Sequence, residues 1–189
     1  YGGVCSDNDH VQDILQKEAI KIALRMNAEY IELRHTRAKD NGLMTKLSKV
    51  AMHLELPATA EELWNLFPSK LRSQIKRPQR DGLVARIGKE EEIESFYNVF
   101  SIKMRELGTP VYPKSFFKNI LETFHESAWI CSVYKDEKPV ASGFLIGFKD
   151  RLEIPWASSN REYERCSPNM LLYWNSLKFA CENGYTLFD

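Results

Sequence analysis

The sequence predicts an α/β protein in which helices flank a mixed β-sheet. Three observations predict it. Three strand-like segments with short polar connections fill 128–158, a helix and a final strand follow at 168–182 and 185–189, and two helical stripes precede them at 93–107 and 116–124. A helix that connects a meander to a returning strand places that last strand parallel to its neighbour. We therefore expect a sheet that is antiparallel except at its last pair.

Composition narrows the possible functions before any motif is considered. The chain has 189 residues, 43% of them hydrophobic, which is enough for one full domain and part of another. Its 26 basic and 26 acidic residues give a net charge of zero, which disfavours DNA binding by bulk electrostatics and requires a local patch for any nucleic acid. No apolar run reaches the roughly 20 residues of a membrane span.

Cysteines and histidines give no metal signature. The four cysteines are widely spaced, without a C-x-x-C pair, and the four histidines show no ligand spacing. Neither a zinc site nor a disulfide framework is expected. The default setting is therefore reduced and cytoplasmic.

The first 56 residues predict one helix and two strands. Apolar residues recur at helical spacing over 11–26, and Asp7 or Asp9 is expected to cap that helix. Residues 30–33 indicate a strand. Alternating apolar and polar residues over 50–56 predict a second strand, which Pro57 ends.

Capping signals place the next helices. Thr59 and Glu62 have the spacing of a capping box, which opens a short helix. Ser69 is expected to cap a second helix, which ends before Gly82. Residues 83–87 then predict the first strand of the main sheet.

Proline positions mark the end of the predicted sheet. Ser167 followed by Pro168 is typical of a helix start with proline at the first helical position, and Gly184 is expected to stop that helix. Pro155 lies in the strand before this crossover, where it indicates an edge, a bulge or a splay because proline cannot donate to the ladder. Diverging parallel strands often leave a cleft for substrate.

The opening helix and strand resemble the closing ones at a constant separation. Residues 1–56 are therefore interpreted as the C-terminal part of one α/β unit, and 57–189 as most of a second copy that lacks its last strands. The chain is expected to be a piece of a longer protein. The identical pairs in this register are Leu15/Leu172, Lys21/Lys178 and Ala23/Ala180.

Several stretches resemble a known family. The order β-α-α-β-β-β-α-β from residue 83 is similar to the GNAT acyltransferase fold. Residues 71–82 (LRSQIKRPQRDG) resemble the R-x-x-I-x-K-A-x-x-x-G segment of FemAB/FemX-type transferases, and 169–189 resemble their helix-strand L-L-x-W-x-x-I-x-x-A-x-x-x-G-x-x-x-x-D. Residues 107–114 and 154–159 resemble a FemAB-related subgroup associated with exosortase/PEP-CTERM systems and exopolysaccharide loci. The doubled unit fits, because this family has two GNAT-like domains.

The resemblance implies transfer of an activated acyl or aminoacyl group to an amine. In FemX-type members the donor is aminoacyl-tRNA and the acceptor is a peptidoglycan precursor, so the expected partners are a nucleotide-linked cell-envelope precursor and tRNA. No tightly bound cofactor is expected. The connection 157–168 lacks the glycines with which ordinary GNAT enzymes clasp the pyrophosphate of CoA, and Pro168 lacks an N–H.

Two alternatives stay open. One is a CoA-dependent N-acetyltransferase that acts on an amino sugar, against which the glycine-free connection argues. The other is a binding module that keeps the GNAT fold without catalysis. Transfer activity with each donor class separates the three readings.

A basic helix supplies the first candidate site residues. Five cations with no acid among them lie on it, and Arg72 and Lys76 are the candidates for contact with phosphates of tRNA or of a nucleotide-sugar precursor. The alternative is a solvated basic face. The five are Lys70, Arg72, Lys76, Arg77 and Arg80.

The resemblance adds candidates for holding the acceptor. Arg105 and Tyr112 flank a rigid loop, although Tyr112 taken alone is better explained as a packed loop aromatic. Trp156, Ser158 and Ser159 lie where the strand is expected to splay, and their hydroxyls suit a polar acceptor.

The crossover helix and the last strand complete the candidate set. Asn169 and Tyr173 are expected to bind substrate from the start of that helix. Asp189 is the candidate catalytic residue, since a carboxylate there could orient an amine or act as a base. It could also simply pair with an arginine.

Overall fold

The computed structural model describes residues 2–35, 42–46 and 50–189. Its contacts divide the chain into two compact units, Tyr1–Val50 and Ala51–Asp189. The predicted division into residues 1–56 and 57–189 as parts of duplicated domains stays a prediction. Among the helices of the described ranges, none is long and apolar enough to cross a lipid bilayer.

The described part of the first unit contains one long helix, α1 (Asp9–Arg25). Its N-cap is Asn8, whose side chain accepts hydrogen bonds from the backbone N–H groups of His10 and Val11. The prediction that Asp7 or Asp9 caps the helix was wrong. Asn8 is the residue whose backbone is extended where the helix begins, and that conformation determines which side chain reaches the free N–H groups.

The strand predicted over 30–33 is not formed. The described residues there have no strand partner, and the nearest pairing is a single bridge between Gly2 and Arg34. Helix α1 buries Gln12 and Gln16, whereas the apolar stripe that predicted it stays exposed. That the first 56 residues repeat the closing helix and strand stays a prediction. The exposed residues of the stripe include Val11, Ile14, Leu15 and Ile22.

The second unit is built on a six-stranded sheet with the order β1-β6-β5-β4-β3-β2. The pairs β2–β3, β3–β4 and β4–β5 are antiparallel, and β5–β6 is parallel, which confirms the predicted mixed sheet. The strands are β1 (Leu54–Glu55), β2 (Leu83–Gly88), β3 (Ala128–Lys135), β4 (Lys138–Phe148), β5 (Arg151–Ser159) and β6 (Leu187–Phe188).

The strand predicted over 50–56 is reduced to β1, which joins this same sheet. Leu54 lies opposite Phe188, and the Leu56 N–H donates to the Thr186 carbonyl at 2.8 Å. Val50 and Met52 are exposed and have no facing strand among the described residues. Alternation alone therefore overstated the strand, because only its last residues reach β6.

Five helices cover the sheet. Thr59 and Glu62 form the predicted capping box of α2. Ser69 is already helical, and Pro68 occupies the N-cap without a side-chain hydrogen bond, so Ser69 was wrongly predicted as a cap. Ser167 and Pro168 begin the crossover helix as expected, although the Ser167 side chain caps nothing. The helices are α2 (Ala60–Leu66), α3 (Ser69–Arg80), α4 (Ile93–Glu106), α5 (Lys114–Thr123) and α6 (Pro168–Glu182).

The two faces of the sheet pack against different helices. Helices α2 and α6 cover one face with a mainly aliphatic core, in which Leu63, Leu171 and Leu172 are buried against strand residues such as Cys131. Helices α4 and α5 cover the other face with an aromatic core. That core contains Phe96, Phe100, Phe117 and Phe144.

A bulge interrupts β5 at the proline that the sequence singled out. Phe144 lies opposite Trp156 and Ile146 lies opposite Glu153, so two steps along β4 face three steps along β5. The predicted irregularity at Pro155 is confirmed. As a result, the Trp156 side chain points into the aromatic face of the sheet.

Candidate functional site

An open cleft lies beside the bulged strand, on the aromatic face of the sheet. Its volume is about 300 Å³, and the α4–α5 loop forms one wall while β5 forms the other. We call it the aromatic cleft, because aromatic rings line it and, among the described residues, no charged side chain does. The lining residues are Phe100, Met104, Thr109, Pro110, Tyr112, Pro155, Trp156 and Ala157.

The aromatic core holds both predicted aromatics in this cleft. The Trp156 ring packs edge-on to Phe117 at 5.2 Å between centroids and to Phe116 at 5.8 Å. The Tyr112 ring stacks on Phe116 at 4.9 Å, and its carbonyl accepts a hydrogen bond from the Tyr97 hydroxyl at 3.2 Å. Tyr112 is therefore both a packed loop aromatic and a wall of the cleft.

The hydroxyl of Ser158 is buried next to this wall. Ser158 lies opposite Ser142, and the Ser142 hydroxyl is 3.0 Å from that of Ser132. The Ser158 hydroxyl itself has no hydrogen-bond partner within the part of the chain that the structure describes. Ser159, the next predicted residue, is half-buried and does not line the aromatic cleft.

Asp189 lies at the parallel end of the sheet and is paired. Its Oδ2 atom lies 3.2 Å from Arg151 Nη1 and 3.3 Å from His53 Nε2. Backbone hydrogen bonds to Leu152 and Ile154 hold Asp189 against β5. The carboxylate is therefore oriented by an arginine, which agrees with the alternative that Asp189 pairs with an arginine. Its catalytic role stays a proposal.

A second cleft runs along α3. It has a volume of about 680 Å³ and combines three cations and three neutral polar side chains with one aromatic ring. We call it the basic cleft. Its lining residues are Trp64, Ser69, Arg72, Ser73, Lys76, Gln79 and Arg80.

Packing between α2, α3 and α6 shapes the basic cleft. Trp64 packs against Trp174 of α6 at 4.8 Å between centroids. The Lys76 ammonium lies 5.5 Å from the Trp64 ring centroid, in a cation–π contact. Arg72 is half-buried and Lys76 is exposed.

Besides Ser158 and Ser159, three more predicted binding residues line neither cleft. Arg105 is exposed near the end of α4, and Asn169 is exposed at the second position of α6. Tyr173 packs edge-on to Phe188 at 6.5 Å. The structure therefore brings Arg72 together with Lys76, and Tyr112 together with Trp156, but does not gather the predicted residues into one pocket.

Sequence reasoning missed other residues of these sites. Trp64 and Met104 line clefts, and Arg151 and His53 hold Asp189. An unassigned tryptophan beside a basic helix was the available signal for Trp64. No local signal connects His53 to Asp189, since the two lie far apart in sequence.

The loop before α6 has no phosphate clasp of the ordinary kind. Asn160 caps a short 3₁₀ turn, and Ser167 then adopts a left-handed conformation with φ of 52° before Pro168 begins the helix. A phosphate clasp needs successive free N–H groups at a helix start, and proline removes one of them. Within the described ranges, no cluster of three or more His, Cys, Asp or Glu side chains suits a metal ion.

Buried titratable groups lie elsewhere in the sheet. Burial raises the pKa of the Cys131 thiol to about 12. Burial, together with a hydrogen bond to Glu92, raises the pKa of Tyr134. The Tyr134 hydroxyl also contacts Ser95 at 2.8 Å, which fastens the start of α4 to β3.

Known proteins resemble this chain in sequence and in fold. Residues 67–189 match the acetyltransferase (GNAT) domain family. A UDP-N-acetylmuramoylpentapeptide-lysine N(6)-alanyltransferase from Weissella viridescens is 24% identical over 172 residues, covering 78% of this chain and 51% of that protein. The chain thus spans about half the length of the curated relative that it matches.

Two solved structures resemble the chain at low identity. FemX matches with a TM-score of 0.63 and 15% identity, covering 72% of this chain and 52% of FemX. L-PGS from Bacillus licheniformis matches with a TM-score of 0.51 and 14% identity, covering 66% of this chain and 43% of that one. At such identities the likeness concerns the fold.

Proposed function

Since the chain belongs to the acetyltransferase (GNAT) domain family, we propose that it is an N-acyltransferase of FemAB type. It moves an activated aminoacyl or acyl group to an amine of a cell-envelope precursor. The observation that carries this proposal is the match to a relative whose name describes alanyl transfer to the lysine of a nucleotide-linked muropeptide. The likeness to FemX supports the same fold.

The reaction requires little from the protein beyond positioning. An aminoacyl ester is already activated, so a neutral amine attacks its carbonyl carbon, the C–N bond forms, and the ester oxygen leaves with the electron pair of the broken C–O bond. The enzyme must take the proton of the amine and stabilise the tetrahedral oxyanion. Asp189, oriented by Arg151, is the proposed acceptor of that proton, which then passes to the ester oxygen as it leaves.

The aromatic cleft is the proposed place of the acceptor. Tyr112 and Trp156 form its walls beside the parallel end of the sheet, and Ser158 supplies a buried hydroxyl next to it. Arg105, Ser159, Asn169 and Tyr173 stay proposed contacts of the larger substrate outside this cleft. A neutral, aromatic lining suits the uncharged parts of a precursor better than its phosphates.

We assign the phosphates of the donor, not those of the precursor, to the basic cleft, through Arg72 and Lys76. The proposed donor is aminoacyl-tRNA, because the loop before α6 lacks the glycines that a CoA clasp uses, and no cofactor is held between turnovers. The setting proposed is cytoplasmic. The relative favours a peptidoglycan acceptor, whereas an exopolysaccharide acceptor and the exosortase/PEP-CTERM subgroup stay predictions.

Ligand-induced stabilisation tests the donor and the acceptor. A ligand that binds only the folded state at 100 times its Kd stabilises it by about 2.7 kcal/mol, which raises Tm. We expect UDP-N-acetylmuramoylpentapeptide and aminoacyl-tRNA each to raise Tm. A shift with acetyl-CoA alone favours the N-acetyltransferase alternative, and no shift with any of the three contradicts the site assignment.

Replacement of the proposed base tests the chemistry. Asp189→Asn keeps the shape of the side chain but cannot take a proton, so kcat for amide formation should fall roughly 100-fold or more. Mass spectrometry of the aminoacylated precursor measures the product. Asp150→Asn removes an exposed carboxylate near the start of β5 and should leave kcat unchanged. An unchanged kcat in Asp189→Asn would contradict the assignment, and equal Tm values for the two variants would exclude a folding defect.

A further inference from the structure

The basic cleft contains a row of three cations, which can bind more than one phosphate group. Arg72, Lys76 and Arg80 follow one another at four-residue intervals along α3 and all line the cleft. With the α-helical rise, their backbone positions are about 6 Å apart, and the row spans about 12 Å. Ser69, Ser73 and Gln79 add neutral hydrogen-bonding groups on the same face.

The charge of this row is not neutralised locally. Among the described residues, no carboxylate lies within 4.0 Å of the cationic groups of Arg72, Lys76 or Arg80, whereas Arg77 on the same helix pairs with Asp81 at 3.9 Å. In a chain with a net charge of zero, a row of three unpaired cations is a concentrated positive site. Such a row attracts a ligand with several negative charges.

The spacing discriminates among anionic ligands. The two phosphates of a nucleoside diphosphate are adjacent, so they engage one or two neighbouring cations and leave the rest of the row unused. Successive phosphates along a nucleic-acid strand are separated by a sugar, and their separation is of the same order as the spacing of the row. A ligand with a repeating phosphate backbone can therefore engage all three cations.

Trp64 supplies the other element of such a site. Its ring forms part of the wall of the cleft, and the exposed Lys76 ammonium lies over it at 5.5 Å. An exposed cation–π contact is weak relative to the stacking of a base on an aromatic ring. If a phosphate binds Lys76 and moves its ammonium group off Trp64, the Trp64 ring becomes available for stacking by a base.

We propose that the basic cleft binds a single-stranded RNA segment, with three successive phosphates on Arg72, Lys76 and Arg80 and a base stacked on Trp64. This inference rests on the proposed function, because aminoacyl-tRNA is its donor, and it locates a contact with the donor on α3. Such a site contacts the phosphates and one base ring of the RNA and no base edges, so binding should not depend on the RNA sequence.

A length series of deacylated RNA tests the proposal without requiring catalysis. Fluorescently labelled oligoadenylates of two to eight nucleotides are titrated with the full chain, and anisotropy gives Kd. Affinity should rise until three phosphates are present, at about four nucleotides, and then level off. The slope of log K against log salt should be about −2, from about −0.7 for each phosphate contact on a single strand.

UDP provides the contrasting probe in the same assay. If UDP competes as well as the tetranucleotide at equal concentration, the cleft is a diphosphate site and the proposal is overturned. A dinucleotide that binds as tightly as the octanucleotide overturns it as well. Weak competition by UDP supports a row that needs spaced phosphates.

Two double variants of α3 remove equal charge from different faces. Lys76→Ala with Arg80→Ala should weaken binding of the octanucleotide about tenfold or more and reduce the salt slope by about 1.4. Lys70→Ala with Arg77→Ala removes cations outside the lining and should change Kd less than twofold. Equal weakening by both variants would mean diffuse attraction by the helix and would overturn the site.

Variants of Trp64 test the stacking separately. Trp64→Phe keeps an aromatic face and should retain most of the affinity, whereas Trp64→Leu should lose about fivefold or more with the same salt slope. Equal affinities for the two would overturn the stacking contact. Amide formation that fails while RNA still binds contradicts the proposed function alone, and transfer that persists without RNA binding contradicts this inference alone.

Discussion

The two faces of the central sheet differ in what they expose. The face covered by α2 and α6 has a mainly aliphatic core, and the basic cleft lies at its surface along α3. The face covered by α4 and α5 has an aromatic core, and the aromatic cleft opens directly from it. The basic cleft is thus a charged surface that lies outside the core, whereas the aromatic cleft is lined by residues of the core itself.

This difference predicts how each site responds to change. The cations of the basic cleft project from α3, whose buried residues Ile75 and Pro78 hold the helix in place, so these cations can be replaced at little cost in stability. In the aromatic cleft, the Trp156 ring packs against Phe117 and Phe116, so a change at the site also changes the stability of the core. Mutations should separate function from stability on one face and not on the other.

The largest expected effect is on the aromatic face. Phe117 is 0% exposed and contacts the rings of Phe96, Phe144 and Trp156. Phe117→Ala should lower the free energy of unfolding by about 3–5 kcal/mol, because it removes the transfer energy of the ring and leaves a cavity. Urea denaturation measures the change.

The control for that prediction is an exposed phenylalanine of the same sheet. Phe148 is 71% exposed, so Phe148→Ala should cost less than about 0.5 kcal/mol. If Phe117→Ala cost no more than Phe148→Ala, the aromatic residues would not form a packed core, and the contrast between the two faces would fail.

The next effect separates the wall of the aromatic cleft from its core. Trp156→Ala should lower kcat/KM for amide formation about 10–100-fold, which corresponds to about 1.4–2.7 kcal/mol of transition-state energy. Trp129→Ala is the matched control, because Trp129 is also a half-buried strand tryptophan but packs against Phe179 on the aliphatic face. It should destabilise the protein without lowering kcat/KM. Equal losses of kcat/KM in the two variants would reduce the role of Trp156 to folding.

Alkaline pH tests the aliphatic face. Burial raises the pKa of Cys131 from 9.0 to about 12, so the unfolded chain releases this proton first as pH rises. The stabilisation is complete below pH 9 and is lost between pH 9 and 12, by up to about 1.4 kcal/mol per pH unit. Urea unfolding at pH 8, 9.5 and 10.5 should show this decline, and Cys131→Ala should show a shallower one. Parallel declines in the two proteins would contradict burial of the thiol.

Local patterns in the sequence predicted much of this fold. The helical stripe at 93–107 and the meander over 128–158 are dense in periodic apolar residues, so their elements formed within a few residues of the predicted bounds. The crossover to a parallel β6 followed from chain order alone. The strand predicted at 30–33 failed because a short apolar run specifies no partner.

The sites depended more on tertiary packing. Arg72 and Lys76 were found because one helix presents both, which is local information. Trp64 joins them only because α2 packs on Trp174, and Asp189 is held by His53 from a distant part of the chain. Long-range contacts of this kind leave no periodicity in the sequence.

The smallest expected effect completes the comparison of the two faces. Arg72→Ala combined with Lys76→Ala should change the free energy of unfolding by less than about 0.5 kcal/mol, because neither cation forms an ion pair with a described carboxylate and Lys76 is exposed. The same variant should bind anionic ligands more weakly, with the larger deficit at low salt. Urea denaturation and anisotropy at two salt concentrations measure both quantities. A variant that unfolds more easily while its affinity stays unchanged would make these two cations part of the packing of α3, and the basic face would then couple folding to binding as the aromatic face does.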